Sequence, residues 1–338
     1  MEYCKRIWPQ IFPSLAALTA ATLPPQVGRV VIITGSPAGI GLALARLYYD
    51  AGATSYMAAR NESKAHAAIH AIMTTSTSKL PRTIKLLAID LSNLRTVKAF
   101  VAAFLSQESR LDLCYNNAGV ACMPLSQRTV QGLQPHMHTN CVGPYLLTSL
   151  LSDILVGTAA TSDTAPHSVR VIWSSSLLVD TSAPSEGVPP DELENPSDDA
   201  IRNYTISKAG KWFLADRVAK HFHARDDPVS EKRVVSITAN PATVHTDIYD
   251  IAPKIAIWLT KPFFATVEDG AHTLLWAACS TDITVRDGGR YVIPFGQWYP
   301  NPRGDLLHAM TDRNDGSSRT NYTKNLEEWA ENVTREFR

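Results

Sequence analysis

Tyr204 is followed four residues later by Lys208 in the stretch NYTISKAGKWF, residues 203–213. Residues four apart stack on one face of a helix, so a helix here would set a phenol beside an ammonium. Such a pair could move a proton. A phenol ordinarily titrates near pH ~10, and a neighbouring cation favours the phenolate. Of the eleven tyrosines, only Tyr204 has a lysine at this spacing. The spacing alone fits an ordinary helix surface equally well; the surrounding residues must decide.

A second group that could do chemistry is TGSPAGIG, residues 34–41. Gly35, Gly39 and Gly41 would let the chain turn tightly, and would let a pyrophosphate approach the N–H groups and Ile40 at the start of a helix. A plain strand-to-helix turn can carry the same glycines, so placement matters: the loop follows the apolar run RVVIIT, 29–34. Where an NAD-preferring site carries an acid to accept from the ribose 2′-hydroxyl, this chain reads MAAR, ending at Arg60, with no carboxylate before Glu62. A guanidinium suits a 2′-phosphate, so NADP(H) is the expected cofactor, with Ser36 as a possible further hydroxyl contact.

These groups need elements to position them. Short β-branched runs at 29–34, 53–60, 83–90, 111–116, 168–174, 233–239 and 290–295 alternate with helical patterns. One helix shows an apolar stripe at Leu94, Val97, Val101, Phe104 and Leu105. The alternation predicts an α/β fold: a single doubly wound (Rossmann) domain, with a parallel seven-stranded sheet and helices on both faces. We place an N-terminal extension at 1–27, the dinucleotide-binding and catalytic domain at 28–299, and a C-terminal extension with a final helix at 300–338. Within the domain, a Pro- and acid-rich substrate loop spans 177–203 and an apolar lid spans 246–265.

Composition narrows the function. The chain has 338 residues, is 45% hydrophobic, and balances 32 basic against 32 acidic side chains, which gives no support to nucleic-acid binding. The five cysteines are scattered without C-x-x-C spacing, so no disulfide framework or metal site is expected and a reducing, cytoplasmic setting is the simpler reading. IFPSLAALTAATLPP, 11–25, is too short and proline-bounded to span a membrane and reads as a helix or strap on the domain. Sequons occur at Asn61, Asn203, Asn321 and Asn332; a glycan on Asn203 would obstruct a site built on Tyr204.

TGSPAGIG, NNAG (116–119), Asn140 in HTNCVGPYLLT, WSSS (173–176), YTISK (204–208) and NPATVHT (240–246), in that order over roughly residues 28–295, resemble the short-chain dehydrogenase/reductase family. The run including GRYVIPFGQWYPNPR looks like its fungal, retinol-dehydrogenase-like branch of secondary metabolism. The resemblance implies roles. Tyr204 would be the general acid/base, and Lys208 would lower its pKa and hold the nicotinamide ribose. Ser176, or Ser175 as second choice, would bind the substrate oxygen, and Asn140 would anchor a water leading to Lys208. Asp90 and Leu91 would meet the adenine, Asn117 the adenosine ribose, and Val244 and Thr246 the carboxamide and pyrophosphate.

Taken singly, the same residues have plainer readings: Asp90 as a helix cap, Asn140 as a locally satisfied polar group. Two departures stand out. The family's usual Pro-Gly reads Pro241-Ala242, which should alter the backbone path, and Pro37 removes one N–H from the glycine loop. Expected partners are a hydrophobic small molecule and, through the helices carrying Asn140 and Tyr204, a second copy as a homodimer. A non-redox isomerase or cyclase and a non-catalytic NADP-binding regulator are the alternatives.

Overall fold

The computed structural model describes residues 2–13, 16–225, 231–244, 265–311 and 321–338. Helix α1 (Glu2–Ile11) comes first, and a non-helical strap then lays Leu18 and Leu23 on the domain. Strand and helix follow in turn: β1 (Val30–Thr34), α2 (Gly39–Asp50), β2 (Thr54–Ala59), α3 (Glu62–Thr75), β3 (Thr83–Ala88), α4 (Leu94–Leu105) and β4 (Leu113–Asn116). Next is a bent helical run: α5 (Pro135–Met137), a π-helix (His138–Val142) and α6 (Gly143–Leu150), followed by α7 (Ser152–Ala160). The second half holds β5 (Arg170–Ser174), α8 (Leu178–Thr181), α9 (Asp191–Glu194), α10 (Ala200–Arg225) and β6 (Val235–Ala239). It ends with α11 (Val267–Cys279), β7 (Tyr291–Ile293), β8 (Gln297–Trp298), α12 (Gly304–Ala309) and α13 (Tyr322–Thr334).

The sheet runs β3-β2-β1-β4-β5-β6-β7-β8. Its pairings are parallel from β3 through β7, and β8 returns antiparallel to β7. The sheet therefore has one strand more than the expected seven. Phe295 and Gly296, both at positive φ (66° and 80°), turn the chain back. A two-residue strand offers no alternation to read.

Side chains of β1 explain its unbroken apolar run. Val30 and Ile32 enter one core, Val31 and Ile33 the other. The first core lies under α4, α6, α10 and α13, the second under α2 and α11. In α4 the buried stripe is Leu94, Val97, Phe100, Val101 and Phe104; Leu105, expected in it, faces solvent.

Helix α13 lies across α10 and the π-helix. Leu326 and Ala330 are buried there, and Glu327 holds Arg217 and His221 of α10 at 2.6 Å each. The Tyr145 hydroxyl of α6 donates to Glu331 at 3.3 Å. The chain's own C-terminal helix thus packs on the helices bearing Asn140 and Tyr204, through which a second copy is expected to associate. No single helix among the described residues is long and apolar enough to cross a membrane.

Candidate active site

At the carboxyl ends of the strands, where the order reverses between β1 and β4, lies a cavity of ≈ 520 Å³. This is where open α/β sheets bind ligands, and the volume is within the ~300–1,000 Å³ usual for them. Gly35, Gly39, Ile40 and Gly41 line it. The turn has no room for side chains: a Cβ on Gly41 would stand 2.5 Å from the Gly35 oxygen, and one on Gly35 would stand 2.9 Å from Ala118 Cα. No side chain caps the N-terminus of α2, which leaves its first N–H groups for an anionic ligand. Ser36 does not share in this. It is fully buried and absent from the cavity lining.

Arg60 lines the cavity beyond β2, is exposed, and forms no ion pair among the described residues. Asn61 beside it caps α3 by accepting from the Lys64 N–H at 2.8 Å. Asp90 also lines the cavity; its Oδ1 accepts the Ser92 amide at 2.9 Å and hydroxyl at 2.6 Å, while Asn93 is the residue that caps α4. Leu91 and Val244 complete that wall. Asn117 donates to the Thr34 oxygen at 2.9 Å and so ties β4 to β1. Thr246 and the apolar lid up to residue 264 lie outside the described residues. The glycine turn and uncapped helix together fit a nicotinamide dinucleotide.

The residues expected to handle protons meet in the same cavity. Ser176, Tyr204 and Lys208 all line it. Lys208 Nζ lies 5.4 Å from the centre of the Tyr204 ring and donates to the Ser174 oxygen at 3.1 Å. Burial pulls its ammonium down to about 8. Ser175 is buried and donates to the Lys208 backbone oxygen at 2.9 Å, whereas the Ser176 hydroxyl oxygen, which accepts the Leu178 amide at 3.2 Å, is the more accessible. Asn140 sits in the π-helix, where the Gly143 N–H reaches back five residues to the His138 oxygen and Pro144 brings no N–H at all. Its side chain brackets Val120 (Oδ1 to N–H 2.8 Å, Nδ2 to oxygen 3.0 Å) and donates to Ser207 Oγ at 2.9 Å. Ser207 in turn donates to the Tyr204 oxygen at 2.6 Å.

A family model described as short chain dehydrogenase matches residues 29–178. The short-chain dehydrogenase/reductase iacJ of Pestalotiopsis fici is 38% identical over 311 residues, covering 90% of this chain and 93% of its own. The chain belongs to the short-chain dehydrogenase/reductase family. As a short-chain dehydrogenase/reductase, it is an oxidoreductase by family. Its fold is shared with an uncharacterised protein of Mycobacterium paratuberculosis (TM-score 0.65, 23% identity, 94% of this chain and 97% of that one). It is shared too with the Pseudomonas aeruginosa RhlG/NADP active-site complex (TM-score 0.59, 18% identity, 79% of this chain and 95% of that one).

Three features of this short-chain dehydrogenase/reductase differ from, or escape, the sequence reading. Ala242 was expected to shift the backbone, yet it adopts φ 75°, the path a glycine would take freely. For alanine that costs about 1–2 kcal/mol. Lys211, fully buried one turn after Lys208, donates to the Asn116 and Ala118 oxygens at 2.9 Å each and so fixes the end of β4. Its spacing from Lys208 was the only signal available. Asn203 is buried and donates to the Ser197 oxygen at 2.7 Å, which leaves no place for a glycan in the folded chain.

Proposed function

We propose that the protein is an NADP(H)-dependent oxidoreductase. It interconverts a ketone or aldehyde and an alcohol on a hydrophobic small molecule, an intermediate of secondary metabolism. The observation that carries this is one cavity bringing Ser176, Tyr204 and Lys208 against the glycine turn. When bound, the dinucleotide supplies or accepts the hydride. Tyr204 gives its hydroxyl proton to the reduced oxygen or takes it back. The Lys208 ammonium favours the phenolate, and Ser176 donates to the substrate oxygen. Asn140 secures the Tyr204 turn through Ser207; Pro144 brings no N–H to the Asn140 carbonyl, and we assign that oxygen the water that leads to Lys208.

The test is a screen of carbonyls and alcohols followed by NADPH absorbance, with product mass recorded. Tyr204→Phe should lose at least about 10²-fold in kcat while binding NADPH as before. Turnover retained in that variant would refute the role of Tyr204. Arg60 further implies tighter binding of NADPH than NADH by tryptophan quenching; equal affinities would remove that argument. A product of unchanged mass with no NADPH consumed would favour an isomerase or cyclase.

A further inference from the structure

Helix α1 lies outside the residues that the family model matches, yet it bonds Asn240, next in sequence to the cavity-lining Pro241 and Ala242. Gln10, 5% exposed, donates from Nε2 to Asp180 Oδ2 at 3.1 Å and accepts at Oε1 from Asn240 Nδ2 at 2.9 Å. Asn240, 1% exposed, accepts at Oδ1 from the Ala242 N–H at 3.2 Å. Asp180 is held in turn by the Tyr299 hydroxyl and by Arg6, whose Nε lies 3.2 Å away.

The order of donors and acceptors in this chain is forced. A carboxylate only accepts, so Asp180 turns the Gln10 amide nitrogen toward itself. That leaves the Gln10 oxygen for the Asn240 nitrogen, and the Asn240 oxygen for the Ala242 N–H. The last link meets Ala242, among the described residues the one cavity-lining residue other than glycine at positive φ. Asp180 belongs to α8, two residues after Leu178, whose amide caps the Ser176 hydroxyl. One glutamine therefore bridges α8, which follows Ser176, and the segment after β6 that carries Ala242.

We infer that Gln10 is a positioning residue: through Asn240 it holds Ala242 in the left-handed conformation that a glycine would adopt unaided, and so sets the cavity wall opposite the glycine turn. The inference deepens the oxidoreductase reading and rests on it for the cofactor readout alone.

The experiment compares full-length Gln10→Leu, Ala242→Gly and the double variant. In cofactor-free protein, Gln10→Leu should speed amide exchange of residues 239–244 by about tenfold, with the β1 amides unchanged. It should also weaken NADPH binding by about tenfold, and Ala242→Gly should restore both in the double variant, because glycine needs no prop. Exchange unchanged in Gln10→Leu overturns the proposal. A double variant as impaired as Gln10→Leu also overturns it, since Gln10 would then be acting on something other than Ala242. If Gln10→Leu does not fold, Gln10→Asn, which is too short to span Asp180 and Asn240, is read by the same exchange measurement. Because exchange is measured without cofactor, a protein that binds no NADPH would defeat the oxidoreductase reading and leave this result legible.

Discussion

Lys208 and Lys211 stand one turn apart on α10 with almost no exposure, and burial lowers both ammonium pKa values, that of Lys208 to about 8. Below pH 8 Lys208 carries its charge, which the proposed mechanism needs beside Tyr204; above it the charge is lost in the free enzyme. The value of kcat/KM for NADPH should therefore hold from pH 6 to 7.5 and fall through a midpoint near about 8, since this ratio reports free-enzyme groups. In Lys208→Arg, whose charge persists, the fall should vanish even if the rate is lower. A native profile flat to pH 10 would contradict this. Tyr204 and Lys208 stood out in the sequence by their address, after a glycine loop, Asn140 and a serine-ended strand, rather than by their spacing. Lys211 and Asn240 did not, because the first meets main-chain carbonyls and the second a side chain far away in sequence.

The glycine turn is the element with the least tolerance. Since a Cβ on Gly41 would collide with the Gly35 carbonyl and with Asn117, Gly41→Ala must spread the turn at a cost of about 1–3 kcal/mol. NADPH quenching should disappear and the denaturant midpoint should drop; unaltered cofactor affinity would show that the turn is looser than its packing implies. Strands buried on both faces announced themselves as apolar runs, and their alternation with helices pointed to a doubly wound sheet. The π-helix around Asn140 did not show, for one extra residue in a turn hardly disturbs a 3.6-residue pattern and only Pro144 hints at it. Helix α1 was also hidden, since Pro9 within it argues against a helix.

For the molecule as a whole, α13 occupies the face on which a second copy was expected. Light scattering should give the mass of one chain, and removing residues 321–338 should expose the apolar seat of Leu326 and raise the mass; a full-length dimer would show that another surface associates. The docking is also pH-dependent. The hydrogen bond to Glu327 raises the His221 pKa, so that contribution is complete below the unfolded value of about 6.5 and is lost as pH rises through the folded one. Burial pushes the Glu327 carboxyl up, but His221 and Arg217 outweigh it and hold it below the ordinary value. Its contribution is present above about 4.3 and is lost as pH falls through the folded pKa. Exchange protection of α13 should therefore weaken as pH rises through the raised His221 value and again as pH falls through the lowered Glu327 value.

The bridge made by Gln10 also sets an order of events during synthesis. Its partners Asp180 and Asn240 lie 170 and 230 residues further along the chain. At about 5–20 residues per second, the first helix made waits on the order of 10–50 s before its last partner exists. The long loop it must close adds an entropic delay. The wall beside Ala242 is thus completed only after residue 240 of the 338 has been made, which keeps a shorter nascent chain from presenting a finished site.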